Sequence, residues 1–165
     1  MKIEIEKVLE EQKSVLRQMM ELYTYDFSEF TDDDINEYGF YGYSHFDQYW
    51  TDADRHPFFI KVDNKLAGLV LVFSHCYYLK GDNIYSIAEF FVLKKYRNKH
   101  IGKISAHKIF DKFIGRWEIN QHPKNIIAQN FWEKTIDDYT KGQYKIHQSI
   151  TEDWIGTGFN FDNQL

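Results

Sequence analysis

One stretch of this sequence, Ile87–Lys103 (IAEFFVLKKYRNKHIGK), gathers residue types that can do chemistry. It begins inside an apolar run, Ile84–Leu93, whose single charge is Glu89. A carboxylate in such a run is costly to bury unless it is paired or solvated by a cleft. Desolvation raises its pKa toward the range of a general base, which makes Glu89 the candidate for proton transfer. The competing reading is a salt bridge to a neighbouring strand. A short basic loop follows, and a helix is expected to start near Ile101 with Gly102 in its first turn. A helix start presents unpaired N–H groups and the positive end of the dipole, a place that suits a phosphate. Gly102 would let a phosphate approach the backbone closely. Lys94, Lys95, Arg97, Lys99 and Lys103 add positive charge around it. The plain alternative is a basic cap on an ordinary strand–helix unit. Gly102-Lys103 is not a P-loop, because the upstream Gly and the following Ser or Thr are absent.

Other reactive residues point to less. His75 and Cys76 are adjacent, so in a strand they face opposite sides and make a poor nucleophile–base pair. Cys76, the one cysteine, reads as a small core residue and excludes an internal disulfide. The seven histidines show no His-x-x-x-His or carboxylate spacing, so no metal is expected.

Around this stretch the charge is divided unevenly. The chain has 165 residues, 25 acidic and 20 basic, for a net charge of −5. Between Gln18 and Asp54 there is no Lys or Arg, but Glu21, Asp26, Glu29, Asp32, Asp33, Asp34, Glu37, Asp47, Asp52 and Asp54 all occur. Between Lys94 and Arg116 eight basic residues face one acid, Asp111. An acidic lobe beside a basic segment points to two ligand chemistries, although solvated helix and loop faces would look the same. The acidic stretch is also rich in rings, from Tyr23 through Tyr25, Tyr38, Tyr41 and Tyr43 to Trp50, with no clear period. A long irregular segment of this kind is often a binding loop or lid, and its rings can equally plug the core. Acid and ring faces together suit a cation. Tyr25, Asp26, Tyr38 and Tyr41 are the candidate substrate-side residues.

The elements that must position these groups follow from hydrophobic patterning. Lys2–Val8 alternates as a half-exposed strand, and Leu9 to about Tyr23 has helical spacing. Phe46–Trp50 reads as a helical turn. Phe58–Val62 and Leu66–Ser74 read as strands joined at Asp63-Asn64-Lys65. Ile84–Leu93 is apolar on both faces, a buried central strand. A helix is expected over Ile101–Arg116, a strand over Trp117–Gln121, and a helix from Pro123 to about Lys134. Gln143–Ile150 and Ile155–Phe161 would close the chain as a hairpin. This order predicts a single mixed α/β (α+β) domain over residues 1–165. The first residues carry no hydrophobic core of a signal peptide, and no apolar run approaches the roughly 20 residues of a membrane span. The expectation is a soluble cytoplasmic protein without a membrane partner.

Two motifs add a family resemblance. Arg97-Asn98-Lys99-His100-Ile101-Gly102 resembles the pyrophosphate loop of the GNAT superfamily of acetyl-CoA-dependent N-acetyltransferases, Arg/Gln-x-x-Gly-x-Gly/Ala, with His100 at the first Gly. Asn125-x-x-Ala128-x-x-Phe131-Trp132 resembles the family's second motif, with Trp132 at a place usually held by Tyr. The resemblance spans Phe58 to Tyr144. It implies a GNAT-like mixed, largely antiparallel twisted sheet flanked by helices on both faces, with residues 84–134 as the CoA-binding core. It implies acetyl-CoA as co-substrate and no metal. Phe91, Val92 and Leu93 would bond the pantetheine arm, and the N–H groups of Asn98, Lys99, His100, Ile101, Gly102 and Lys103 would hold the pyrophosphate. Arg97 would add charge, and Asn125 and Trp132 would line the cofactor. Glu89 would take a proton from a substrate ammonium, and Tyr139 and Tyr144 are the candidate general acids. The implied activity is acetyl transfer to a primary amine of a small cationic substrate. The alternative is a non-catalytic acyl-CoA sensor of the same fold. A nucleic-acid partner is not expected, given the overall acidity. A homodimer stays open, since dimers are frequent in such families.

Overall fold

The computed structural model describes residues 1–150 and 155–164. Among these residues seven strands form one sheet: β1 (Ile3–Lys7), β2 (Arg55–Val62), β3 (Lys65–Phe73), β4 (Ile84–Val92), β5 (Arg116–Asn120), β6 (Lys145–Ile150) and β7 (Ile155–Asp162). Their spatial order is β1-β2-β3-β4-β5-β7-β6, antiparallel throughout except for the parallel pair β4–β5. The helices are α1 (Lys13–Phe27), the single turn α2 (Gln48–Thr51), α3 (Ile101–Phe110) and α4 (Ile126–Thr140). The expected mixed, largely antiparallel sheet with helices on both faces is what the chain forms.

Alternation along the central strands divides the core in two. Phe59, Leu69, Leu71 and Phe91 face α1 and α2, where Leu16, Met19, Met20, Phe46 and Tyr49 cover them. Phe58, Ile60, Val70 and Val72 face α3 and α4, where Ile101, Ile109, Phe110, Trp132 and Ile136 cover them. With both faces covered, the middle of β2 (Phe58, Phe59, Ile60) and β3 from Leu66 to Phe73 need continuous apolar runs, and that is their sequence. The β2–β3 hairpin turns on Asp63 and Asn64, both at positive φ (47° and 63°), as a two-residue turn between paired Val62 and Lys65.

Several element bounds differ from expectation. A 3₁₀ turn, Glu10–Gln12, precedes α1, which runs on to Phe27. α3 ends at Phe110 rather than Arg116, because the Asn163 side chain donates to the carbonyls of Phe110 and Phe113 and ends the helix there. Ile114, inside the expected helix span, is exposed. α4 starts at Ile126, after Pro123, and runs to Thr140. Lys141 and Gly142, at φ 55° and 81°, then stop it. Among the described residues no helix is long and apolar enough to cross a membrane.

Candidate functional site

The site is built by a break in the sheet. β4 and β5 pair only over Ile84–Ser86 against Arg116–Glu118. Beyond Ser86 they part, so the β5-side edge of β4 from Ile87 to Val92 has no strand partner among the described residues. In the same stretch β4 carries a bulge: Leu71 pairs with Glu89 and Val72 with Ile87, which leaves Ala88 as the extra residue. The bulge resets the alternation. Ile87 joins the α3/α4 side with Phe90 and Val92, whereas Glu89 turns to the α1 side with Phe91.

Two phenols enclose the Glu89 carboxylate. The Tyr43 hydroxyl donates to Oε1 at 2.9 Å, and the Tyr23 hydroxyl donates to Oε2. Tyr23 comes from α1, stacked on Phe27 (centroids 5.6 Å apart) and tilted against Phe91 (5.7 Å). Tyr43 comes from the irregular segment between α1 and α2. Burial pushes Glu89 up to about 7, with the two hydroxyl donors pulling the other way. Burial and the Glu89 charge raise both phenols, so they stay protonated. A carboxyl that titrates near neutrality at the mouth of a sheet cleft is equipped to accept a proton there.

A second place lies at the start of α3. Asn98 and His100 both adopt positive φ (59° and 60°). His100 thus takes the left-handed conformation that a glycine adopts more easily, at roughly 1–2 kcal/mol for a residue with a Cβ. The first bond inside the helix is Ile104 N–H to His100 O at 3.0 Å, so the N–H groups of Ile101, Gly102 and Lys103 precede the ladder. Gly102 also has a packing reason to be small: a Cβ there would lie 3.2 Å from the Phe131 ring. Its smallness lets α3 pack on α4.

Arg97 Nε donates to Val92 O at 2.8 Å, and its guanidinium pairs with Asp26 at 2.5 Å. Lys94 approaches the same carboxylate at 3.3 Å. Burial would raise Asp26, but Arg97 and Lys94 hold it below the usual carboxylate range. Asp26, expected on the substrate side, therefore binds the basic segment instead. With Tyr25 and Lys94 it lines a cavity of about 300 Å³. Tyr25 and Tyr38 are exposed, and Tyr41 is held through its backbone N–H by Glu21. Lys99 donates to Lys95 O, and Lys103 pairs with Asp138 at 3.2 Å. The side chain of Asn125 caps α4 by accepting the Ala128 N–H at 2.9 Å. Trp132 is buried against Phe90 and Phe131, in the core rather than at the cleft surface.

The two tyrosines expected as general acids do not meet Glu89. Tyr139 donates to Asp111 at 2.9 Å and packs on Phe110 and Phe161. Tyr144 donates to Glu133 and packs on Phe159. Both belong to the α3/α4 cluster, whereas Glu89 opens to the α1 side. The phenols at Glu89 are Tyr23 and Tyr43. Tyr23 was accessible to sequence reasoning, since it continues the α1 stripe of Leu16, Met19 and Met20. Tyr43 had no local signal.

Glu118 was also not singled out. It is fully buried and accepts N–H bonds from Tyr77 (3.0 Å), Tyr78 (2.9 Å) and Leu79 (2.7 Å), plus the Asn120 amide (2.8 Å). It fastens the β3–β4 connection to β5 near the point where the strands part. Cys76 is buried, and burial pushes its thiol up to about 12, which suits a core role. Among the described residues no group of three or more His, Cys, Asp or Glu gathers as a metal site.

No curated protein matches the chain. Solved structures do, at identities that speak to fold. An acetyltransferase from Thermus thermophilus superposes with a TM-score of 0.72 at 10% identity, covering 98% of this chain and 97% of that one. The PaiA N-acetyltransferase of Thermoplasma acidophilum, solved with coenzyme A, gives 0.61 at 17% identity over 98% and 99%. The aminoglycoside acetyltransferase AAC(6')-Ib, also with coenzyme A, gives 0.71 at 10% identity over 99% and 96%. In sequence, residues 16–136 match the acetyltransferase (GNAT) family, a span that includes both Glu89 and the start of α3, and the chain belongs to that family.

Proposed function

We propose that this protein transfers an acetyl group from acetyl-CoA to a primary amine of a small cationic substrate, with Glu89 as general base. One observation carries the reading: the Glu89 carboxyl stands, near neutral pKa, where β4 and β5 part. The residues present fit the co-substrate. The free edge of Phe91 and Val92 offers backbone groups to an amide-bearing arm, as an added strand would. The N–H groups of Ile101, Gly102 and Lys103, beside the left-handed Asn98 and His100, suit a diphosphate, with Arg97, Lys95 and Lys99 around it.

Bound acetyl-CoA supplies an acetyl group activated as a thioester. Glu89 takes a proton from the substrate ammonium and leaves the nitrogen lone pair free to attack. With a pKa near 7, about half of it is ionised at neutral pH and able to accept that proton, and protonation in turn leaves it an acid of matched strength. Tyr23 and Tyr43 hold the carboxylate in one orientation. Water reprotonates the departing thiolate, since Tyr139 and Tyr144 lie with the other cluster. The acidic residues of the α1–α2 segment favour a positively charged acceptor.

The test is thiol release from acetyl-CoA across a panel of polyamines, aminoglycosides and amino-acid amides. Glu89→Gln is expected to lower kcat by about 10²–10⁴-fold while leaving the acetyl-CoA thermal shift in place. Unchanged turnover in that variant removes Glu89 as the base. Acetyl-CoA binding without turnover on any amine selects the sensor reading, and no thermal shift at millimolar acetyl-CoA removes both.

A further inference from the structure

Glu21, on α1, makes contacts that neither the family motifs nor the proposed chemistry use. Its carboxylate accepts two backbone N–H bonds from a remote part of the chain, Tyr41 N–H to Oε2 at 2.8 Å and Gly42 N–H to Oε1 at 2.9 Å. The next residue is Tyr43, whose hydroxyl reaches Oε1 of Glu89. Both α1 carboxylate contacts thus bear on the same short piece of loop. Gly42 sits at φ 73° with no atom within 4 Å of a would-be Cβ, so the backbone turn, not lack of space, calls for glycine there. The preceding loop is organised by its own Asn36, whose side chain accepts the N–H groups of Tyr38 and Phe40. The paired bonds to Glu21 are charge-assisted, and such bonds are about twice as strong as neutral ones.

We infer that Glu21 is a positioning residue for the base: by clamping the N–H groups of Tyr41 and Gly42 it holds the Tyr43 hydroxyl on Glu89. The clamp acts from one point of α1, while Tyr23, two residues along the same helix, donates to the other oxygen of Glu89. One helix therefore fixes both hydroxyl contacts of the carboxylate, one directly and one through the loop. The groups around Glu89 are Tyr23 from α1, Tyr43 from the loop and Tyr49 from α2, with Arg55 of β2 over the Tyr49 ring at 5.5 Å. Of the three phenols, only Tyr43 depends on an irregular segment for its place. This inference deepens the reading of Glu89 as base and rests on it for catalytic meaning, but its test needs no turnover.

The test is the titration of the Glu89 side-chain carboxyl, followed by carbon-13 NMR in the free full-length protein. Four proteins are compared: wild type, Tyr43→Phe, Glu21→Ala and the double variant. Losing the Tyr43 hydrogen bond removes a donor to the ionised form, so the Glu89 midpoint should rise by roughly one pH unit in Tyr43→Phe. Glu21→Ala should raise it by a similar amount, and the double variant should add nothing further. A Glu89 midpoint that stays put or falls in Glu21→Ala, or a double variant whose shift is the sum of the two, overturns the inference. Should Glu21→Ala fail to fold, Glu21→Gln is read in its place: it keeps one acceptor oxygen, and an upward shift is again required. The acetyl-CoA thermal shift of each variant serves as the fold control. If Glu89→Gln retains turnover while these midpoints still move together, the base assignment fails and the clamp stands.

Discussion

Replacing Glu89 by Gln tests the electrostatics of the site apart from catalysis. A carboxyl whose folded-state pKa lies above its unfolded value binds protons more tightly in the native state. Its contribution to stability is full below the unfolded value and is lost as pH rises through the folded one. For Glu89 these bounds are 4.5 and about 7. The difference of about 2.5 units corresponds to roughly 3 kcal/mol of stability lost between about pH 4.5 and pH 8. Gln is uncharged throughout and close to Glu in shape, so it escapes this loss. The assay is urea unfolding of wild type and variant at half-unit steps from pH 4.5 to 8, read as the difference between them, which cancels the other titrating groups. Wild type should lose ground to Glu89→Gln steadily across this window, by about 3 kcal/mol in all. A flat difference would show that water reaches the carboxyl freely. A difference growing in favour of wild type would show that the Tyr23 and Tyr43 hydrogen bonds outweigh burial. Either outcome refutes the argument that desolvation tunes Glu89 for proton transfer.

Two further outcomes test the surroundings of the site. Glu118→Ala strips one buried acceptor from the N–H groups of Tyr77, Tyr78 and Leu79 and should cost at least about 3 kcal/mol in urea unfolding, with Glu118→Gln milder. Asp26→Asn frees Arg97 and Lys94 from their ion pair and removes a carboxylate from the basic loop. By isothermal titration its acetyl-CoA Kd should fall by up to about five-fold at low salt, and the gain should shrink as salt rises.

Some of this protein is written locally. The sheet elements follow from apolar periodicity, and the β2–β3 turn from Asp63-Asn64. Glu89 stands out because it is one charge in a run that must be buried. The strand, basic loop and helix start at α3 were legible because they are adjacent in sequence. The loop's αL residues were less so: His100 adopts the conformation that a glycine would have signalled.

What the sequence by itself determined is therefore the fold and the presence of a buried carboxylate beside a phosphate-suited helix start. Both rest on residues near one another in the chain, where period and spacing carry the physics. Only the tertiary structure decided which way Glu89 points and what holds it. The direction comes from the bulge at Ala88, which depends on register against β3. Its partners come from 66 and 46 residues away, Tyr23 on a helix and Tyr43 on a loop pinned by Glu21. The same holds for the charges: Asp26 and Arg97 looked like opposite ends of a site, yet the fold joins them in one ion pair. No local pattern encodes such pairings, because they arise when separate elements pack against one sheet.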